Sequence, residues 1–298
     1  MRIGFTLPQM GDLARRPGEV TRFAQEAEAL GAASLWVGDR LLSPVDPVIG
    51  YNGSDSFPTA FHHVLDPFAL MAIAAATTEH VEIGANILQA PLYPPALLAR
   101  SLTTIDLVSN GRLLPGFGIG FSPDEYQAAG VPMNERGARL DECLDVLEAW
   151  WTTNPVEHHG KHWDIPATHV DLKPAQTPRP PIHISGFAPV ALRRVARRAD
   201  GWLPAFFAGA GPFDPDAINV PMAEIRRFAA EAGRDPARID MVLRIYPVGE
   251  AGLDDIVEAI TRAEAETEVT HCFVELMNVA SDVDQALDIA SRVLVATR

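Results

Sequence analysis

Lysine is almost missing from this chain of 298 residues: of 24 basic residues only Lys161 and Lys173 are lysines, against 39 acidic ones, for a formal net charge of -15. A field of that sign repels phosphate polyanions, so nucleic-acid binding would need a local basic patch. The nearest candidate is Arg193, Arg194, Arg197 and Arg198, two i,i+4 pairs on one helix; it reads as a solvated face, with contact to a coenzyme tail as the alternative. Only two cysteines are present, Cys143 on an apolar helical stripe and Cys272 in a strand-like run. That excludes a disulfide framework and points to reduced core residues in the cytoplasm. The chain opens on a strand-like run, Arg2 to Leu7, rather than on a charged and then apolar leader. No apolar run reaches the ~18 to 20 residues that span a bilayer, so no membrane insertion is expected. Also missing is the His-x-His pair that metal-dependent amidohydrolase barrels carry after their first strand; Leu7-Pro8-Gln9-Met10 stands there, and no metal site is expected.

What is present is regular. Short β-branched or aromatic runs alternate with amphipathic stretches from end to end, the pattern of parallel strands joined by crossover helices. Strands are predicted at 2–7, 33–38, 81–88, 112–119, 181–185, 200–206, 240–246 and 270–276. Helices follow at 17–30, 66–78, 95–109, 133–152, 188–198, 216–232, 252–265 and 281–297. Eight such units in one chain of this length predict a single (β/α)8 TIM-barrel domain over residues 1–298. Pro17 is placed to open the first helix, Gly31 to end it, and Asn110-Gly111 to give a left-handed exit from the third.

Two connections are longer than the usual two to six residues: 40–65 after the second strand and 153–180 before the fifth. The first holds Tyr51, Phe57, Phe61, His62 and His63 and reads either as a substrate lid or as a packed surface loop. The second holds His158, His159, Lys161 and His162, ligand-type residues at the end of a barrel less suited to catalysis, and reads as structural.

Barrel active sites form at the C-terminal strand ends. Those ends gather Gln9, Asp39-Arg40, Asn86-Ile87, Gly118 to Ser122, Ser185-Gly186-Phe187, Trp202, Tyr246 and Glu275. Amides, glycines and aromatics suit a planar polar ring better than a divalent metal. Gly116-Phe117-Gly118-Ile119-Gly120 lies within a strand and lacks the third glycine of a dinucleotide fingerprint, but a strand-end glycine lets a flat ring approach the backbone. Ser185-Gly186-Phe187-Ala188 ahead of a helix is a phosphate cradle or a plain strand-to-helix turn.

The runs Leu35 to Leu42, Ile83 to Leu88, Gly111 to Tyr126, Gly130 to Pro132, Arg136 to Leu140 and Ala199 to Trp202 resemble the luciferase-like flavin monooxygenases, and within them the branch of deazaflavin (coenzyme F420)-dependent oxidoreductases. The resemblance implies a non-proline cis peptide at Asn86-Ile87 beneath the coenzyme ring and Asp39 near its reactive carbon. It places Gly186, Phe187 and Ala188, beside Ser185, at the phosphate, and Asp124 with Gly118, Gly120, Phe121 and Ser122 along the coenzyme side chain. Gln9, Arg40, His62, Trp202 and Tyr246 are the candidate substrate contacts. A homodimer paired through the helices near the second and third strands is implied as well.

Two positions depart from the pattern. Arg40 and Phe121 stand where some deazaflavin dehydrogenases place a histidine and an acid, and neither can act as a base near neutral pH. Sugar-phosphate dehydrogenation by that pair is therefore not expected; Arg40 would hold an anionic or carbonyl substrate, or simply pair with Asp39. The leading expectation is hydride transfer between F420 and a small organic substrate, with Asp39 and Arg40 as catalytic residues. A reduced-FMN monooxygenase served by a separate flavin reductase and a non-catalytic flavin-binding protein are the alternatives.

Overall fold

The computed structural model describes residues 1–298. In chain order its strands are β1 (Arg2–Thr6), β2 (Ser34–Val37), β3 (Glu82–Ala85), β4 (Leu88–Gln89), β5 (Leu113–Leu114), β6 (Gly116–Gly118), β7 (Val156–His159), β8 (Asp164–Thr168), β9 (His183–Ser185), β10 (Gly201–Leu203), β11 (Ala205–Ala208), β12 (Asp240–Met241), β13 (Leu243–Pro247) and β14 (His271–Val274). The α-helices are α1 (Val20–Leu30), α2 (Pro67–Thr77), α3 (Pro95–Val108), α4 (Pro123–Ala128), α5 (Arg136–Thr152), α6 (Pro189–Arg198), α7 (Asp216–Glu231), α8 (Leu253–Glu266) and α9 (Val283–Ala296).

One parallel sheet runs β11-β13-β14-β1-β2-β3-β5 and a second runs β12-β10-β9-β6-β4. The pairs β3/β4, β5/β6, β10/β11 and β12/β13 are successive halves of single strands, so the two sheets share their ends. Together they make the eight-position ring of a (β/α)8 barrel, the fold expected from the sequence.

Four strands are therefore broken where the sequence reading drew them whole. Pro115 separates β5 from β6 and Pro204 separates β10 from β11. A proline has no N–H to give to the ladder, although both carbonyls still accept, from His183 N at 3.0 Å and Arg244 N at 2.9 Å. Between β3 and β4 lies the Asn86–Ile87 peptide, which is cis.

The ring is filled by Trp36, Leu203, Val242 and Phe273, with Trp36 stacked on Phe273 at 4.4 Å. Only glycine fits at 84, since a Cβ there would sit 2.4 Å from the Trp36 ring. Outside the ring a connected core of 63 buried residues extends from Ile3 to Val293 and takes in the apolar faces of the surrounding helices. Local punctuation agrees with the sequence: Gly31 closes α1 at φ 100°, and Asn110 and Gly111 leave α3 at φ 55° and 81°. Pro17 opens a 3-10 turn, and α1 begins only at Val20.

The long connection 153–180 contains an antiparallel hairpin of β7 and β8 that the sequence reading did not place. Its histidines face carboxylates: His158 is 3.3 Å from Glu142, and His159 lies between Glu157 at 2.9 Å and Asp164 at 2.5 Å. Connection 40–65 folds across the barrel mouth. Its Phe57 and Phe61 are buried with Met10, Tyr246 and Met277.

Candidate active site

A cavity of about 300 Å³ opens at the C-terminal ends of the strands. Its floor follows from the strand period of two. Val242 and Phe273 point into the packed ring, so Arg244 and Glu275, two residues further on, occupy the next layer toward the mouth. That layer is polar. Arg244 Nη2 donates to Glu275 Oε2 at 2.6 Å, and Thr6 Oγ1 donates to Glu275 Oε1 at 2.9 Å.

One wall carries Asp39. The backbone N–H of Gln89 donates to its Oδ2 at 2.8 Å, and Tyr93 Oη donates to both oxygens at 3.0 and 2.9 Å. Burial raises the carboxyl from its ordinary 3.8 to about 6, against these donors, which favour the ionised form. Asp39 thus changes protonation state close to neutrality, as an acid–base group must.

Arg40 is not paired with Asp39. Its Nη1 donates to Glu125 Oε2 at 2.8 Å, and Glu125 Oε1 also accepts the Leu41 N–H at 2.7 Å. The guanidinium lies 5.0 to 5.1 Å from the ring centres of Phe57, Phe61 and Phe121. The two departures noted in the sequence, Arg40 and Phe121, are therefore in contact: an arginine caged by three phenyl rings and held by a fully buried carboxylate.

Between Asn86-Ile87 and β6 the wall is flat because it lacks side chains. A Cβ on Gly118 would lie 2.8 Å from Ile87 Cδ1, and one on Gly120 would lie 2.0 Å from Gln89 Oε1. Asn86 Nδ2 and Gln89 Oε1, both from cavity-lining residues, are buried without a hydrogen-bond partner. A stranded donor and a stranded acceptor beside a glycine wall fit the edge of a planar heterocycle that presents both a carbonyl and an N–H. The donor set thus suits a flavin or deazaflavin ring.

The other predicted residues are placed as follows. Asp39, Arg40, Asn86, Ile87, Gly118, Gly120, Phe121, Ser185 and Gly186 line the cavity. Gln9 does not; its amide exchanges two 2.7 Å hydrogen bonds with the Gly38 backbone and fixes the approach to Asp39. Ser122 is fully buried and caps α4, accepting from Glu125 N. Trp202 is also fully buried; its Nε1 is spent on Gly186 O at 3.0 Å, which shapes the turn from beneath and leaves no surface for substrate. Tyr246 packs behind the lining, next to Arg244. His62 is exposed in an adjoining cleft beyond Phe61. Asp124 accepts from the Val48 N–H at 3.1 Å and so ties down the long loop. Phe187 is exposed against Trp202, ahead of the N-terminus of α6, whose N-cap Ala188 offers no side-chain cap. Of the four arginines on α6, Arg194 and Arg198 pair with Asp141 and Asp145 of α5.

Sequence reasoning did not assign roles to Gln89, Tyr93, Glu125 or Arg244. Gln89 follows the Asn86-Ile87 motif by two residues and was within reach of that signal; the other three are brought to the site only by folding.

Comparison with known proteins gives the family and agrees with the fold. An uncharacterized protein of Mycobacterium tuberculosis is 34% identical over 217 residues, 71% of either chain. Monooxygenase RslO1 of Streptomyces bottropensis has the same fold, with a TM-score of 0.78 at 20% identity over 99% of this chain and 97% of that one. So has an F420-dependent secondary alcohol dehydrogenase solved with an F420–acetone adduct, with a TM-score of 0.75 at 20% identity over 100% of this chain and 99% of that one. The sequence model described as luciferase-like monooxygenase matches residues 1–289, and the chain belongs to that family.

Proposed function

We propose that the protein is an F420-dependent oxidoreductase that moves a hydride between the deazaflavin and a small organic substrate. The observation that carries this reading is the glycine wall at Gly118 and Gly120 facing the stranded Asn86 and Gln89 amides. When bound, the coenzyme would supply a ring carbon that takes or gives a hydride. Asn86 and Gln89 would hold its polar edge, and Ser185, Gly186, Phe187 and Ala188, at the uncapped end of α6, would receive its phosphate.

Asp39 holds or releases the proton that accompanies hydride movement, at the Oδ1 edge left free by the Gln89 N–H. Tyr93 and Gln89 fix its orientation. Arg40 is committed to Glu125 and three rings, which makes it a positioning residue that sets the loop beyond β2. Phe57, Phe61 and Tyr51 of the long loop exclude water from the mouth. F420 is preferred over FMN on the resemblance of the sequence to the deazaflavin branch and on the coenzyme of the similar alcohol dehydrogenase.

The specific observation favouring an FMN monooxygenase is the fold likeness to the Streptomyces enzyme. Titrating the apoprotein with F420 and with FMN, followed by fluorescence at one salt concentration, separates the two. Micromolar or tighter binding of F420 with weak FMN binding supports the hydride-transfer reading. The reverse preference supports a monooxygenase fed by a reductase, and no binding of either rejects both.

The chain is further read as one domain that acts as a homodimer in the cytoplasm. Supporting the dimer, α2 is apolar all round (Pro-Phe-Ala-Leu-Met-Ala-Ile-Ala-Ala-Ala-Thr), yet Ala69 and Ala76 are exposed, and α3, which packs against α2, leaves Leu97 half-exposed. Supporting a reducing compartment, Cys143 and Cys272 are buried and unpaired.

A further inference from the structure

The hydride-transfer reading leaves the substrate class open, and the cavity floor narrows it. Two guanidinium groups line the cavity, Arg40 and Arg244. In most enzymes such groups would suggest a carboxylate or phosphate substrate. Neither cation is free here. Arg40 Nη1 is 2.8 Å from Glu125 and Arg244 Nη2 is 2.6 Å from Glu275. Each guanidinium is thus matched by a carboxylate outside the lining, and Asp39 adds a carboxylate on the wall itself, so an anion approaching either arginine meets no uncompensated positive charge.

One buried N–H of these guanidiniums nonetheless remains unmatched. Arg244 Nε is buried and has no hydrogen-bond partner. Tyr246 covers one face of that guanidinium, its ring centre 4.6 Å from Cζ, and Glu275 occupies Nη2. A buried N–H left without an acceptor calls for a ligand atom. Because the charge is already neutralised, the complement is an uncharged oxygen rather than an oxyanion. The cavity also offers apolar and aromatic surface for the body of such a ligand: Met10, Tyr51, Phe61, Ile87, Phe121 and Ala205.

We propose that the Arg244 side of this cavity accepts a neutral, apolar-bodied molecule through a single carbonyl or hydroxyl oxygen received by Arg244 Nε, and discriminates there against carboxylates. The assignment of that molecule as the substrate rests on the oxidoreductase reading. The binding preference stands on the Arg244–Glu275 pair alone. Glu275 is the residue that enforces neutrality, and Arg244 the one that positions the oxygen.

The test is a ligand-detected NMR titration with acetophenone and benzoate, two probes that share a phenyl body and differ in charge. It is run on the wild-type protein, on Arg244→Lys and on Glu275→Gln, with thermal unfolding as a check on the fold. Wild type is expected to bind acetophenone at least tenfold more tightly than benzoate. Arg244→Lys keeps the charge but loses Nε, and is expected to weaken acetophenone about tenfold. Glu275→Gln frees the guanidinium charge and is expected to tighten benzoate about tenfold.

Benzoate binding as tightly as acetophenone in the wild type overturns the proposal, even if both variants fail to fold. An unchanged acetophenone affinity in folded Arg244→Lys overturns it as well. The coenzyme titration described above is independent: loss of F420 and FMN binding removes the oxidoreductase reading, whereas loss of probe selectivity removes only this one.

Discussion

Tyr93 Oη donates to both carboxylate oxygens of Asp39, at 3.0 and 2.9 Å, from the turn that precedes α3. Burial drives the Asp39 carboxyl up to about 6, and this hydroxyl together with the Gln89 N–H is what keeps it from rising further. A hydrogen bond to a charged group contributes about 1.5 to 3 kcal/mol, on the order of one unit of pKa or more. Tyr93→Phe should therefore shift the Asp39 titration upward by about one pH unit. A pH profile of turnover, or a carboxyl-detected NMR titration, checks the shift; a profile that stays in place would mean that Tyr93 only fills space.

Glu125 is fully buried and joins three parts of the site: Arg40 Nη1, the Leu41 N–H and the Gln89 amide, the last at 3.3 Å. Removing one partner of a buried pair leaves the other charge unmatched, at a cost of about 3 to 5 kcal/mol. Glu125→Ala should lose most of that stability in urea unfolding. Glu125→Gln, which keeps an acceptor, should lose about half as much. Equal losses would show that packing rather than charge is what Glu125 provides.

Gly118→Ala tests the glycine wall. The added Cβ would stand 2.8 Å from Ile87 Cδ1, so Ile87 must move into the cavity. A coenzyme ring lying against that wall should bind at least tenfold more weakly, with thermal stability lowered by only a few degrees. Unchanged binding of both F420 and FMN would place the ring elsewhere.

Exposed alanines on α2 test the dimer. Ala69→Glu with Ala76→Glu puts two charges, seven residues apart and so on one helical face, onto the exposed face of α2. Light scattering coupled to size exclusion should give twice the 32.3 kDa chain mass for the wild type and the single-chain mass for the double variant. A monomeric wild type would dispose of the assembly.

Much of this architecture could be read from the chain because its signals are local. Strand and helix periods, the Gly31 stop and the Asn110-Gly111 exit depend on near neighbours; the eight β/α units follow in the predicted order, and the stop and the exit stand where the sequence put them. The strand breaks were harder to see, although Pro115 and Pro204 are plain in the sequence, because a parallel barrel strand can change partners without changing direction. Site pairs were the least legible. Arg40 finds Glu125 across 85 residues, and Arg244 finds Glu275 across 31. Arg40 and Glu275 could be placed at the mouth from the sequence, but their partners Glu125 and Arg244 could not. The alternative of an Arg40–Asp39 pair gave way because the Gln89 N–H and Tyr93 already occupy Asp39, while three phenyl rings draw Arg40 to the other side.

Asp39 joins stability to function, and its sign is opposite to that of most native carboxylates. Its folded-state value, about 6, lies above the ordinary 3.8, so the native state retains a proton that the unfolded chain releases between those pH values. The contribution to folding is complete below 3.8 and is lost as the pH rises through 6. At neutral pH the ionised carboxylate therefore destabilises the fold, by about 1 to 3 kcal/mol after allowing for partial solvent contact. Asp39→Asn keeps the shape and an acceptor for the Gln89 N–H, so it should be more stable than wild type at pH 7, and the gap should vanish by pH 4. Turnover should fall at least a hundredfold, the scale of a lost acid–base group. Urea unfolding at both pH values and steady-state rates at saturating substrate measure the two effects separately. Full turnover in Asp39→Asn would remove Asp39 from the chemistry, and a stability difference independent of pH would show that its carboxyl titrates as an ordinary one.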